Sequence, residues 1–344
     1  GIFANTLKEK YLKKNVIVVK NESDIFFYNL NKEGKLNKEF IDNLFLNKEL
    51  INNFYSPVSL NDLPYPDWLS YSKKYVLRNN FFSLKEKIAV PILATRGCPY
   101  SCFFYCTYPL QQGRKVRARS VENIIEEIKY WQKELGTNKF VFRDPVFSIN
   151  RKHTIEFCNE VINQKLNITF MVETHLNNLD DEMIPLLKKA GLKLAYVGVE
   201  SSSHFVLKDM KRFTVEHDKQ FQVIKKCEDS GIKVKTMFII GNPEDTKETI
   251  IASIEYAKYL PSLYSQFSVF TPYPGTPAYN EFKDIINETK LENFNQYNLT
   301  FNHKNLSKED ISNLKSLAYF KYYFNFKKIF QILKYSLKSK LYNI

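Results

Sequence analysis

The chain has 344 residues, 44% of them hydrophobic, ample for one large domain with an appendage. No run of about 18 apolar residues occurs, so no spanning helix is expected, and five cysteines, an odd number, argue against a disulfide scaffold and for a reducing, cytoplasmic setting. The net charge of +13 is uneven: residues 311–344 carry seven lysines and no acid.

The chain opens Gly1-Ile2-Phe3, with neither a secretory leader nor a Met, which reads as a fragment. Val16 to Val19 suggest a strand, and residues 22–30 a helix. An Asn- and Lys-rich stretch then leads into Pro57-Val-Ser-Leu-Asn-Asp-Leu-Pro64-Tyr-Pro66, whose prolines exclude a regular element and suggest a linker laid over a domain surface.

From residue 88 onward strand-like and helical runs alternate. Strands are predicted at 89–95, 139–143, 168–174, 193–200, 233–240 and 266–271, and helices at 121–135, 151–164, 181–190, 216–230 and 247–259. Asp245-x-x-Glu248 resembles a capping box, and Gly191 and Gly231 follow apparent helix ends. Such β-then-α units predict a parallel sheet covered by helices, either open or closed into a barrel. Polar residues collect at strand ends: Arg96, Arg143-Asp144, Glu173-Thr174-His175, Glu200 and Gly241-Asn242-Pro243. In a barrel those ends share one rim, where chemistry is built. The tail is predicted helical from Ser307, capped by Ser307-x-x-Asp310. Phe320, Phe324, Phe330, Leu333, Leu337 and Leu341 recur there at helical spacing, either packed on the barrel or touching an anionic membrane or lipid-like substrate.

Three cysteines lie within nine residues, Cys98-Pro-Tyr-Ser-Cys102-Phe-Phe-Tyr-Cys106, whereas Cys158 and Cys227 stand alone in helical segments. A structural zinc site takes four ligands, and no fourth Cys or His lies nearby; a redox dithiol leaves the third thiol unexplained. Three ligands suit an iron–sulfur cube with one iron open to a small molecule.

Arg96-Gly-Cys-Pro-Tyr-Ser-Cys-x-Phe-Tyr-Cys, then Thr107-Tyr-Pro-Leu-x-Gln-Gly-Arg-Lys, resembles the radical S-adenosylmethionine (SAM) superfamily, of the kind with an N-terminal cobalamin-binding domain. Phe142-Arg-Asp-Pro-Val-Phe, Glu173-Thr-His, Val197-Gly-Val-Glu-Ser, Phe238-Ile-Ile-Gly-Asn-Pro-Glu-Asp-Thr and Thr271-Pro-Tyr-Pro-Gly-Thr-Pro continue it, in order, over about residues 62–279. The resemblance implies an α/β fold: a partial (β/α)6 TIM-like barrel over 88–280, preceded by the end of a cobalamin-binding domain (1–50) and a linker (51–87). A C-terminal helical extension (281–344) follows. It implies that Cys98, Cys102 and Cys106 hold a [4Fe–4S] cluster whose fourth iron takes SAM, and that an electron from an external donor of flavodoxin or ferredoxin type cleaves SAM to a 5′-deoxyadenosyl radical. Tyr105 would flank the adenine, Glu173 the ribose, Glu200 the polar groups of SAM and Arg212 its carboxylate. Gly241 would let the backbone approach the adenosine, and Arg143-Asp144 and His175 would face a substrate or pack. A cobalamin-linked methyl transfer, or a related cyclisation, on a small-molecule or lipid-like substrate is the reaction implied.

Two departures bear on this. The family spaces its cysteines by three and then two residues, whereas Phe103 and Phe104 make the second gap three here. In extended chain that displaces Cys106 by about 3.5 Å. Asn242 and Glu244 also replace an apolar residue and a Gly. Alternatives are therefore a degenerate barrel that binds SAM or a partner without turnover, and a tRNA-modifying relative using the basic tail. Nucleic acid is the less expected partner, since there is no second cysteine trio and no recognisable RNA-binding module.

Overall fold

The computed structural model describes residues 22–34, 58–70, 89–213 and 215–341. The strand expected at Val16 to Val19 lies outside them.

Six strands form one parallel sheet in the order β1 (Ala89–Ile92), β4 (Lys139–Phe142), β5 (Thr169–Thr174), β6 (Leu192–Glu200), β7 (Lys233–Ile240) and β8 (Tyr264–Val269). A two-stranded antiparallel ribbon, β2 (Thr95–Arg96) with β3 (Arg117–Ala118), stands apart. β1 and β8 are the sheet's two open edges, so the expected parallel sheet forms as a partial barrel.

The helices form where the apolar spacing places them. In α3 (Val121–Leu135) Val121, Ile124, Ile125 and Ile128 are buried as one stripe; Ser120 accepts from the Asn123 amide at the start, and left-handed Gly136 ends it. α4 (Arg151–Asn163), α5 (Met183–Ala190), α7 (His217–Asp229) and α8 (Lys247–Tyr259) cover the same outer face, with short α6 (His204–Asp209) between. Residues of alternate parity along β5 to β8 are fully buried against these helices, and their neighbours are only half-buried. That second set faces the barrel interior. Phe142, Phe147, Phe157 and Phe170 interlock between sheet and α4 with ring centroids 4.7–6.0 Å apart, mostly edge to face.

One cap differs from expectation. Thr246 and Thr249, not Asp245 and Glu248, form the capping box of α8. The Asp245 carboxylate is engaged elsewhere, accepting from the Asn242 amide (2.9 Å) and the Thr249 hydroxyl (2.7 Å), so the cap falls one residue later while the helix begins at Lys247 as expected. β8 likewise begins two residues before its expected start.

Flanking segments dock as separate pieces. Helix α1 (Ser23–Lys32) is tied to the β2–β3 ribbon: Glu22 pairs with Arg96 (2.9 Å) and Arg117, and Asp24 with Arg96. The Pro-rich segment crosses the start of α3, where the Asn61 side chain accepts from the Ser120 amide (2.8 Å) and Tyr65 packs on Tyr130. The tail is two helices, α10 (Lys308–Tyr323) and α11 (Phe326–Leu341), and Ser307 with Asp310 does form a capping box. Ile286 and Phe301 form an antiparallel bridge in the stretch leading to them.

Candidate active site

The cysteines lie on an excursion from the β2–β3 ribbon. At its base the buried Asp144 carboxyl accepts from the Ala94 amide (3.2 Å), the Thr95 amide and the Thr95 hydroxyl (2.7 Å), fixing the exit from β1. Burial pushes that carboxyl up to about 6. Asp144 is fully buried and therefore braces the loop; it does not face a substrate as expected. The Cys98 amide donates to Gly113 (3.2 Å), and Arg114 donates to the Pro99 carbonyl (2.5 Å), closing the excursion on itself.

The additional residue is absorbed as a helical turn. Ser101–Phe104 is a 3-10 turn, and the amides of both Tyr105 (3.1 Å) and Cys106 (2.9 Å) donate to the Cys102 carbonyl. Helical backbone rises only about 1.5–2.0 Å per residue, and side chains four apart meet on one face. Cys106 is thus not carried away by the extended reach of one residue. The two phenyls take opposite sides: Phe103 lies under the Arg114 guanidinium (4.4 Å), and buried Phe104 meets Phe282 edge-on.

The three thiols sit close enough to set one another's ionisation. The Cys106 thiol, helped by Arg212, pulls the Cys102 thiol down to about 6 and is itself pushed up in return. Burial raises Cys98, and the Cys102 charge adds to it. Cys98 and Cys102 are buried and Cys106 is half-buried.

Beside them lies a buried ion pair. β6 ends in a bulge against β7 between Gly198 and Glu200, and Glu200 has φ +68°, a backbone that costs about 1–3 kcal/mol for a side chain of this kind. Its carboxylate faces Arg212 at 3.5 Å, and Arg212 donates to the Gly198 carbonyl (3.1 Å). Gly198 leaves room for the pair: a Cβ there would lie 2.2 Å from the Glu200 carboxylate and 2.8 Å from the guanidinium. Burial pushes the Glu200 carboxyl up to about 7, with Arg212 pulling the other way. The Ser101 hydroxyl donates to the Lys211 carbonyl (2.7 Å), fastening the Arg212 segment to the cysteine loop. Tyr105 packs against Phe270, its hydroxyl pushed well up by burial and by Glu200.

Glu173 is held from two sides, accepting from the Tyr108 hydroxyl (3.2 Å) and pairing with Arg143 (3.5 Å). Burial raises its carboxyl, with Arg143 opposing. In the strand register Glu173, Tyr196 and Lys235 form one row on the interior face, and the Lys235 ammonium lies 5.2 Å over the Tyr196 ring. Tyr108, Tyr196 and Lys235 were not among the expected site residues. The period-two alternation of β6 and β7 places the last two on the inner face; the partnership of Tyr108 with Glu173 has no local signal.

His175 is 4% exposed, its ring between Tyr100 (5.3 Å) and Phe213 (5.9 Å), and its Nδ1 accepts from the Asn177 amide. Burial and Arg212 draw it down to about 4. It is a neutral brace for the cysteine loop, the packed one of the two roles expected for it. Gly241 has φ +71°, and a Cβ there would meet Ile311 of α10 at 2.8 Å, so helix packing gives this glycine a reason of its own. Of the neighbouring substitutions, Glu244 pairs with Lys304 on the way to α10, whereas the Asn242 side chain donates within its own loop, to the Ile239 carbonyl (3.0 Å) and the Asp245 carboxylate (3.0 Å).

Residues 92–257 match the sequence profile of the radical SAM superfamily. The chain belongs to that superfamily. An uncharacterized methyltransferase of Pyrococcus horikoshii is 30% identical over 235 residues, which cover 67% of this chain and 50% of that protein. Anaerobic magnesium-protoporphyrin IX monomethyl ester cyclase of Rubrivivax gelatinosus is 28% identical over 244 residues, 70% of this chain and 42% of that one. The chain thus spans about half the length of these relatives or less. Among solved structures, a radical SAM methyltransferase from Kitasatospora setae with cobalamin and a [4Fe–4S] cluster bound superposes with a TM-score of 0.53 at 20% identity, covering 57% of this chain and 37% of that one. That likeness carries the fold.

Radical SAM enzymes use a [4Fe–4S] cluster and SAM, and the donors present fit them. Among the described residues no three His, Cys, Asp or Glu side chains converge on a single-ion position. A cube does not ask for that, since each thiolate binds a different iron. Three thiols on one loop, two of them buried, with no carboxylate among them and a guanidinium at their side, match that donor set.

Proposed function

We propose that this radical SAM enzyme transfers a methyl group to a small-molecule substrate with cobalamin as a second cofactor, ring closure being the related alternative. The observation that carries this is the juxtaposition of the Cys98–Cys102–Cys106 turn with the buried Glu200–Arg212 pair. Cys98, Cys102 and Cys106 would hold the cluster, which when bound supplies one electron for cleaving a carbon–sulfur bond of SAM. Arg212 offers a guanidinium fork to the SAM carboxylate and Glu200 an acceptor to its amino group. Tyr105 walls the adenine side. Glu173, oriented by Tyr108 and Arg143, presents its carboxylate to the ribose hydroxyls. Burial of these groups keeps water from the reacting centre, which radical chemistry requires.

The interior face beyond them carries Met171, Tyr196, Lys235, Met237 and Gln266, an amphipathic wall suited to a substrate with both ring and polar parts. A cytoplasmic setting fits the free cysteines, and among the described residues no helix is long and apolar enough to cross a membrane. Electrons would come from a small carrier of flavodoxin or ferredoxin type. Cobalamin would be held mainly by parts of a longer protein, because the match to methyltransferase relatives covers only about half their length.

Anaerobically reconstituted chain, incubated with SAM, cobalamin and a strong reductant, tests the reading. It predicts 5′-deoxyadenosine from SAM, and S-adenosylhomocysteine as well when a methyl acceptor is supplied. S-adenosylhomocysteine never appearing, from the full-length protein as well as from this chain, would overturn methyl transfer, and intact SAM under every condition would overturn the whole assignment.

A further inference from the structure

The tail helices present two faces of opposite character. On the inner side of α11, Lys328 is 2% exposed and donates to the carbonyls of Leu260 (3.1 Å) and Ser262, just past the end of α8. Tyr335, two turns on, lies under the Lys233 ammonium at 5.3 Å. These contacts fix which side of the helix faces the barrel.

The other side is apolar and bare. Phe326 is 91% exposed, Phe330 68%, Leu333 55% and Leu337 60%, at spacings of four, three and four residues that make one continuous stripe. Phe320 and Phe324 at the end of α10, stacked on each other at 4.9 Å, continue it, and both are mostly exposed. Contiguous exposure of this kind marks an interaction surface. The charge of the segment is one-sided: from residue 311 to 344 there are seven lysines and no acid. Lys328 is used internally and Lys321 pairs with Glu255 (2.8 Å), while Lys334 is exposed beside the stripe.

We propose that α11 docks on an anionic phospholipid surface, its phenylalanine and leucine stripe sunk at the headgroup–acyl boundary and Lys334 against the headgroups. An apolar stripe flanked by lysine on a helix lying along a surface is the arrangement such binding requires. The charge decides against a second copy of the chain as occupant, because pairing two such segments brings lysine to lysine with no acid from either. The inference is independent of the proposed reaction; it needs no bound cofactor.

The test is co-sedimentation of the full chain with vesicles of phosphatidylcholine alone or with roughly 30% phosphatidylglycerol. At about 0.1 M salt the anionic vesicles should bind at least tenfold more protein, and about 0.5 M salt should reverse most of it. The triple variant Phe326→Ser, Phe330→Ser, Leu333→Ser removes only exposed side chains; it should lose vesicle binding with an unchanged circular-dichroism melt. Lys334→Glu should weaken binding several-fold. Equal binding to neutral vesicles, or none to either, would overturn the proposal. So would a concentration-dependent dimer in lipid-free sedimentation that the triple variant abolishes.

Discussion

Glu200 adopts a backbone that glycine takes freely and glutamate does not, and it does so to turn a carboxylate toward Arg212. Gly198 is the residue that makes space for this, so Gly198→Ala should separate the pair. The expected result is SAM affinity lowered at least tenfold with little change in thermal stability, read by equilibrium dialysis and melting. His175 supplies a pH prediction. Its ring is held neutral, with folded pKa about 4 against an ordinary 6.5, because it is buried against Tyr100 and Phe213 and near Arg212. The unfolded chain therefore takes up a proton first as pH falls. The stabilisation is complete above about 6.5 and is lost toward 4, on the order of 3 kcal/mol in all. Urea titrations across that range should show the slope, and His175→Phe should remove its share.

The residue scale also separates what was legible from what was not. The family resemblance marks the cysteines, Glu200 and Arg212 as candidates, and the structure brings them side by side. Asp144 and His175 sit at the same strand ends, and type alone made them look equally functional. What separates them is not burial, which Glu200 shares, but what they meet: Asp144 turns back to the Thr95 amide and hydroxyl, and His175 into the gap between two aromatic rings. The partnership of Tyr108 with Glu173 becomes visible only once distant strands and loops are brought together.

Among elements, the edge strand β8 shows how the sheet ends. An unpaired edge exposes amides and carbonyls that invite further pairing. Here tyrosines of α10 cover them: the Tyr319 hydroxyl meets the Phe267 amide (3.2 Å) and carbonyl (3.3 Å), and the Tyr323 hydroxyl the Ser265 amide (3.1 Å) and carbonyl (2.7 Å). Residues four apart on the helix thus meet residues two apart on the strand. Replacing both, Tyr319→Phe with Tyr323→Phe, should cost about 2 kcal/mol in urea unfolding and raise aggregation on storage. Full stability in that double variant would mean water satisfies the edge equally well. Most elements were legible from period and caps, α3, β7 and α8 to the residue. The cysteine turn was not, because an inserted residue reads alike whether it extends the chain or coils it. Only the paired bonds to the Cys102 carbonyl reveal that it coils.

On the scale of the whole molecule, the parallel sheet and its helices form a scaffold, and one ribbon, pinned by Arg96 and Arg117 to Glu22 and Asp24, projects the cysteines from it. The architecture could be foreseen because alternation of strand and helix leaves few solutions. The docking of α1 and of the tail depends on single ion pairs and hydroxyls, which no periodicity encodes. The central claim is that the three cysteines, though spaced three and three, hold one four-iron cluster. Iron and sulfide analysis of anaerobically reconstituted protein, wild type beside Cys98→Ala, Cys102→Ala and Cys106→Ala, tests it most directly. The account predicts about four iron and four sulfide per wild-type chain and a large loss in each variant. Cys106→Ala retaining the wild-type content would contradict it.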